Sequence, residues 1–234
     1  KDTYRLNGRE YKMGRHGFAR DTNFKLIAQG DEQVIYALSD SPETLKDYPF
    51  HFNLSVSYKL RGNQIRVVWH VENTDDKPIF FQIGGHPAFN VPGQQPGEPL
   101  KGRLRFDAEE PIRLFGNVGG CIDKGKHAPI ETQKGVWAFT QDSFKDDAVI
   151  FDRCQIRKIE LLNSNGEAEV TINTKAPALG IWSPYGKNAP FVCIEPWYGI
   201  HDWAEYEGDF IGKYLMNKLF PGASFMSEYS ITIG

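Results

Sequence analysis

Phe52-Asn53-Leu54-Ser55-Val56-Ser57-Tyr58-Lys59-Leu60 places an apolar residue at every second position. Arg61-Gly62-Asn63-Gln64 follows as a turn, and Ile65, Val67, Trp69 and Val71 resume the alternation. A period of two sends successive side chains to opposite faces of an extended chain, so this stretch predicts a β-hairpin with one buried face. Val34-Tyr36-Leu38, Val170-Ile172 and Phe225 through Ile233 carry the same alternation. Clusters of Gly, Pro, Asn and Asp punctuate these runs. Helical patterns are scarce: Ser41 to Tyr48 suits one short turn, and Asp209 to Leu219 is a weak helical candidate. Short strands at regular spacing predict an all-β sandwich or barrel. No repeat, low-complexity segment or linker interrupts the 234 residues, which predicts a single domain over 1–234. Residues 92–103, rich in Pro and Gly, read as a long surface loop of the kind that borders a site.

Composition narrows the function. A net charge of −3 with Lys and Arg spread along the chain argues against a nucleic-acid partner, which calls for a basic stripe. No run of 18 apolar residues is present to span a membrane as a helix. Cys121, Cys154 and Cys193 are odd in number and far apart, which fits neither a disulfide framework nor a zinc motif and suits a reducing cytoplasm. The first residues lack the apolar core of a signal peptide. The chain opens without Met, in what reads as mid-strand, as a piece of a longer protein would. The 16 Phe, 10 Tyr and 5 Trp suit strands, and they also suit a surface that binds sugar.

Two motifs can carry chemistry. Gly84-Gly85-His86-Pro87-Ala88-Phe89-Asn90 follows the strand-like Phe80-Phe81-Gln82-Ile83. The glycines let the backbone approach a ligand, and Pro87 stiffens the exit, so His86 is held at a strand-end turn. It can be a proton donor or simply a turn histidine that caps a carbonyl. Cys193-Ile194-Glu195-Pro196-Trp197-Tyr198-Gly199 ends the apolar run Phe191 to Ile194 with a carboxylate. Desolvating that carboxylate is costly unless it is paired or useful, and burial would make it a better base near neutral pH. The bland alternative is a buried glutamate bonded to backbone amides.

Arg15-His16-Gly17-Phe18-Ala19-Arg20-Asp21 offers His16 and Arg20 as hydroxyl-binding donors. It is equally a surface loop with Arg20 paired to Asp21. Asp147, in Lys145-Asp146-Asp147-Ala148-Val149-Ile150-Phe151, either closes a turn or points into a cleft. His201-Asp202, His51, His70 and His127 read as structural. The HExxH, GxSxG and P-loop patterns are absent. A metal held by His16, His86 and Glu195 lacks the close spacing common in such sites.

Gly84 to Asn90 and Cys193 to Gly199, with His16-Gly17-Phe18-Ala19-Arg20 upstream, resemble the aldose 1-epimerases, the galactose mutarotase-like proteins. The resemblance runs from about Tyr4 to the C-terminus and is nearest to a bacterial subgroup of uncertain substrate. It implies a large β-sandwich with an open sugar cleft, here without the N-terminal edge strands with which family members begin. It implies no metal and no organic cofactor, and a small free hexose such as galactose or glucose as partner. By resemblance, His86 is the general acid at the ring oxygen and Glu195 the general base at the C1 hydroxyl. His16, Asp147 and Arg20 match sugar-binding positions. Ile200 stands where the subgroup often has arginine, and isoleucine cannot bind a hydroxyl or a phosphate.

Opening a hemiacetal needs one proton taken from O1 and one given to O5, so one acid and one base suffice without redox chemistry. Trp197 is a candidate floor for a sugar face, and Trp182 reads rather as core. The mechanism requires His86 and Glu195 on one face, across a sugar-sized gap. The rivals are a non-catalytic carbohydrate-binding protein, a glycosidase, whose second carboxylate beside Glu195 is not evident, and a hexose-6-phosphate mutarotase. For the last, Arg15, Arg20 and Lys187 are the candidate phosphate ligands.

Overall fold

The computed structural model describes residues 2–118 and 120–234, the side chains of Phe115, Asn117, Val118 and Lys124 aside. The fold is all-β, and the chain packs into two compact units, Lys1–Gln82 with Glu207–Glu228, and Ile83–Tyr206 with Tyr229–Gly234.

The first unit begins with the hairpin β1 (Thr3–Leu6) and β2 (Arg9–Lys12). β3 (Lys25–Gly30), β4 (Gln33–Ser39), β5 (Phe52–Arg61) and β6 (Gln64–Asn73) then form a continuous antiparallel sheet. The 52–71 hairpin forms in the register its alternation requires: Leu54 pairs with Val71, Val56 with Trp69 and Tyr58 with Val67. Opposed side chains share a face, so Phe52, Leu54, Val67, Trp69 and Val71 are buried together. Ser41 to Tyr48 supplies the expected short turn as a one-turn helix, Thr44–Asp47. β7 (Ile79–Phe81) closes this stretch.

The second unit runs from β8 (Ile83–Gly84) and β9 (Ala88–Asn90) through β10 (Lys101–Phe106), β11 (Ile112–Val118), β12 (Cys121–Pro129) and β13 (Val136–Thr140). It continues with β14 (Val149–Phe151), β15 (Lys158–Leu162), β16 (Ala168–Thr174), β17 (Ala178–Trp182) and β18 (Phe191–Tyr198). β19 (Asn217–Leu219) belongs to the first unit, as does β7, with which it pairs. β20 (Ser224–Ile233) has its last residues in the second unit, where they pair with β16.

Within the second unit one sheet has the order β13-β10-β15-β16, and another β12-β11-β14-β17-β18, with β8 and β9 both on β18. Phe106 of the first sheet meets Phe151 of the second, their rings 5.6 Å apart. Phe151, Leu179, Ile181, Val192 and Ile194 make an apolar inner face, and residues one position away in each strand point the other way.

Two expectations are corrected. Asp209 to Leu219 is no helix: Asp209 caps a single 3₁₀ turn, Phe210–Gly212, by accepting from the Ile211 N–H. Leu215 then takes a positive φ of 56°, and β19 begins at Asn217. The loop expected over 92–103 ends by residue 100, because β10 starts at Lys101. Gly102 is a strand glycine; a Cβ there would press into the Phe139 ring and within 2.9 Å of Val91 Cγ1. Among the described residues no helix is long and apolar enough to cross a membrane.

Candidate active site

The site is built on β18 and the two short strands beside it. β18 does not end at Ile194 as its apolar run suggested; it continues through Glu195 and Pro196 to Tyr198. A proline inside a strand forfeits a ladder donor, which the sheet tolerates where the neighbouring strand is interrupted. Here the neighbour breaks between β8 and β9, at Gly85-His86-Pro87. Gly85 N–H donates to Pro196 O at 3.0 Å and Ile194 N–H to Pro87 O at 3.2 Å, so the break stays tied to β18.

Register then does the positioning. Gly84 pairs with Trp197 on one side of the break and Ala88 with Cys193 on the other. Counting two residues inward from each pair brings His86 opposite Glu195. Opposed residues of an antiparallel pair project to the same side, and His86 Nε2 lies 3.5 Å from Glu195 Oε1. The two motifs thus meet on one face, as the acid–base reading requires. Their atoms stand in ion-pair range instead of across a sugar-sized gap. O1 and O5 of a hemiacetal are bonded to one carbon, so the two groups can serve both oxygens without spanning the ring.

Burial divides the pair. Glu195 is 3% exposed, whereas the His86 side chain is 47% exposed. The carboxylate is held from below: the Trp197 indole Nε1–H donates to Oε2 at 3.3 Å. Trp197 has room to reach it because it is cradled by two glycines. A Cβ on Gly180 would stand 2.6 Å from indole Cη2, and one on Gly84 2.7 Å from Cδ1. Gly180 pairs with Glu195 on the β17 side, so the indole occupies the space that a larger residue would fill.

Trp182, expected to be core, is half-buried and sets its ring edge-on to His86, with centroids 6.0 Å apart at 83°. Cys193 is the residue that motif reasoning passed over. It shares the Glu195 face through the period of two, a signal already present in the sequence. Burial first, and the Glu195 charge second, push its thiol up to about 12. One donor atom each from His86, Cys193 and Glu195 lies within 4.8 Å of the other two. Among the described residues these three, rather than the trio with His16, are close enough together to hold a cation.

Asp147 precedes β14 with φ at +77°, a region L side chains seldom adopt and one that often marks functional backbone. Its carboxylate accepts from the Ala148 N–H at 3.0 Å. Val149 pairs with Ile181, which puts Asp147 toward the Trp182 end of β17. His16 and Arg20 belong to the first unit. His16 lies in an exposed turn, and Arg20 pairs with Asp21 at 3.1 Å with both side chains exposed. Lys187 is exposed and Ile200 is buried. The His201 ring packs against Trp197, with centroids 6.3 Å apart. His51 pairs with Asp40, Nδ1 to Oδ2, at 2.7 Å.

Comparison with known proteins agrees with this fold. The family model described as Aldose 1-epimerase matches residues 1–204. The chromosomal Protein LacX of Lactococcus lactis subsp. lactis is 30% identical over 239 residues, covering 98% of this chain and 79% of that protein. A galactose mutarotase related enzyme from Lactobacillus acidophilus superposes with a TM-score of 0.90 at 33% identity, covering 100% of this chain and 78% of that one. A galactose mutarotase-like protein from Lactobacillus casei ATCC 334 gives a TM-score of 0.91 at 31% identity, with 100% and 80% covered.

Proposed function

The chain belongs to the aldose 1-epimerase family, and from that premise we propose that it is a mutarotase that interconverts the α and β anomers of a small free hexose. One observation carries the proposal: an exposed imidazole lies 3.5 Å from a buried carboxylate on one sheet face.

In the proposed reaction Glu195 takes the proton from the O1 hydroxyl while His86 delivers one to O5. The C1–O5 bond breaks and O1 becomes the carbonyl oxygen. Rotation about C1–C2 presents the other carbonyl face. Reclosure forms C1–O5 again, with His86 taking its proton back and Glu195 returning the other to O1. The roles suit the environments. The His86 ring, 47% exposed, reaches both a sugar oxygen and the solvent with which it can exchange a proton. The carboxylate beside it is kept from bulk water and aimed by the Trp197 N–H. Each positioned proton transfer contributes on the order of 10²–10⁴-fold.

Trp197 serves here as a positioning residue for Glu195 as well as a candidate sugar floor, and Asp147 is proposed to hold sugar hydroxyls. Polarimetry of freshly dissolved α-glucose or α-galactose tests the proposal. The protein should speed the approach to equilibrium rotation above the spontaneous rate; a panel of free hexoses that all relax at the buffer rate would refute it.

A further inference from the structure

The proposed sugar chemistry uses two of the three donor groups that converge on this face and leaves Cys193 without a task. Cys193 is 1% exposed and stands two residues from Glu195 on the same strand face. We propose that His86, Cys193 and Glu195 form an inhibitory binding site for a soft divalent cation of the zinc class. What the cation inhibits rests on the mutarotase reading; the binding itself does not.

The geometry supports three ligands to one ion. A tetrahedral zinc with bonds of about 2.0–2.1 Å to nitrogen and oxygen and about 2.3 Å to sulfur has ligand–ligand edges of about 3.4–3.6 Å. The His86 Nε2 to Glu195 Oε1 edge is already 3.5 Å. All three donor atoms lie within 4.8 Å of one another, so each sulfur edge closes by at most about 1.2 Å to reach the tetrahedral value, within the play of side-chain rotations. One imidazole, one thiolate and one carboxylate leave a fourth position open, as zinc sites with three protein ligands do.

The donor set also selects the ion. Thiolate and imidazole favour zinc and its softer neighbours, whereas magnesium and calcium take oxygen ligands. On coordination the Cys193 S–H bond gives way to an S–metal bond and its proton passes to solvent. The exposed His86 ring offers the entry, and the buried thiol and carboxylate form a dry floor.

Occupancy and turnover exclude each other. A Glu195 oxygen bound to the cation cannot accept the O1 proton, and a bound His86 Nε2 cannot carry one to O5.

The experiment uses chelator-treated protein. Zinc chloride is titrated calorimetrically into wild type, Cys193→Ser and Cys193→Ala, with magnesium chloride as the hard-ion control. Cadmium chloride is added to wild type in parallel to read sulfur-to-metal charge-transfer absorbance. Wild type should bind one zinc, show the cadmium band and give no heat with magnesium. Either variant should lose more affinity than the roughly 10–100-fold that removing an outer-shell partner costs. Mutarotation by Cys193→Ser should continue at a zinc concentration that stops wild type. The proposal is overturned if wild type binds no zinc and gives no cadmium band, or if both variants bind zinc as wild type does. The cadmium reading needs no variant, so a variant that fails to fold leaves the test intact. One-to-one binding through Cys193 with no mutarotation of any hexose would sustain the site and refute the mutarotase reading. Mutarotation that zinc does not slow, with no cadmium band, would do the reverse.

Discussion

Gly180→Ala tests the cradle that aims the proposed base. Gly180 has no positive φ, so the substitution adds no backbone strain and its effect is wholly steric. The new Cβ would stand 2.6 Å from Trp197 Cη2. Carbon atoms rest at about 3.5–4.0 Å, so the indole must retreat by about 1 Å. The Nε1–H to Glu195 Oε2 bond is already 3.3 Å long, and a shift of that size takes it out of hydrogen-bonding range. Overpacking of this kind costs about 1–3 kcal/mol, which for a chain of this length lowers Tm by about 2–12 °C. A misplacement of about 1 Å can reduce turnover by about 100-fold. Thermal unfolding and polarimetry read the two effects. Replacing Trp197 by Leu in the same chain removes the clashing ring, so the double variant should be more stable than the two single losses add up to. A Gly180→Ala protein within about 0.5 kcal/mol of wild type, with losses additive to those of Trp197→Leu, would refute the reasoning.

Trp197→Phe keeps most of the ring and removes the N–H donor. Turnover should fall by roughly 2–12-fold, the weight of one net hydrogen bond, with a smaller change in KM if the indole acts through Glu195. Ile194 is fully buried on the opposite face of β18, so Ile194→Ala should cost about 2–5 kcal/mol in urea unfolding. His51 has its protonated form favoured first by the hydrogen bond to Asp40 and then by that carboxylate's charge, which raises its titration point. A raised folded value means that the contribution is complete below the unfolded value, about 6.5, and is lost as pH rises through the folded one. Wild type should therefore lose slightly more thermal stability than His51→Gln between pH 6 and pH 8; equal slopes would contradict this.

Local periodicity made much of the fold legible. The 52–71 hairpin announces itself because alternation, turn and burial agree, and Leu54 facing Val71 is what that agreement looks like in space. Asp209 to Leu219 misled because a few apolar residues at near-helical spacing compete poorly with a capped 3₁₀ turn and the positive φ at Leu215. In the site, the two motifs were visible and their pairing was not. Nothing local says that residue 86 lies across from residue 195; that register comes from Gly84 on Trp197 and Ala88 on Cys193. The apolar run stopped at Ile194, yet the strand continues through Pro196, because the gap between β8 and β9 removes the need for the ladder donor that proline lacks. Trp197 read as a flat surface for sugar, and only three-dimensional packing reveals that Gly84 and Gly180 make room for its ring. Cys193 could have been noticed from the strand period alone, two residues before Glu195.

The most direct measurement compares Glu195→Gln with wild type by polarimetry on the same freshly dissolved α-anomer, with sugar binding followed separately by NMR. Glutamine keeps the shape and loses the base. The account predicts binding retained and a catalysed rate lower by on the order of 10²–10⁴-fold; a variant that equilibrates the anomers as fast as wild type would contradict it.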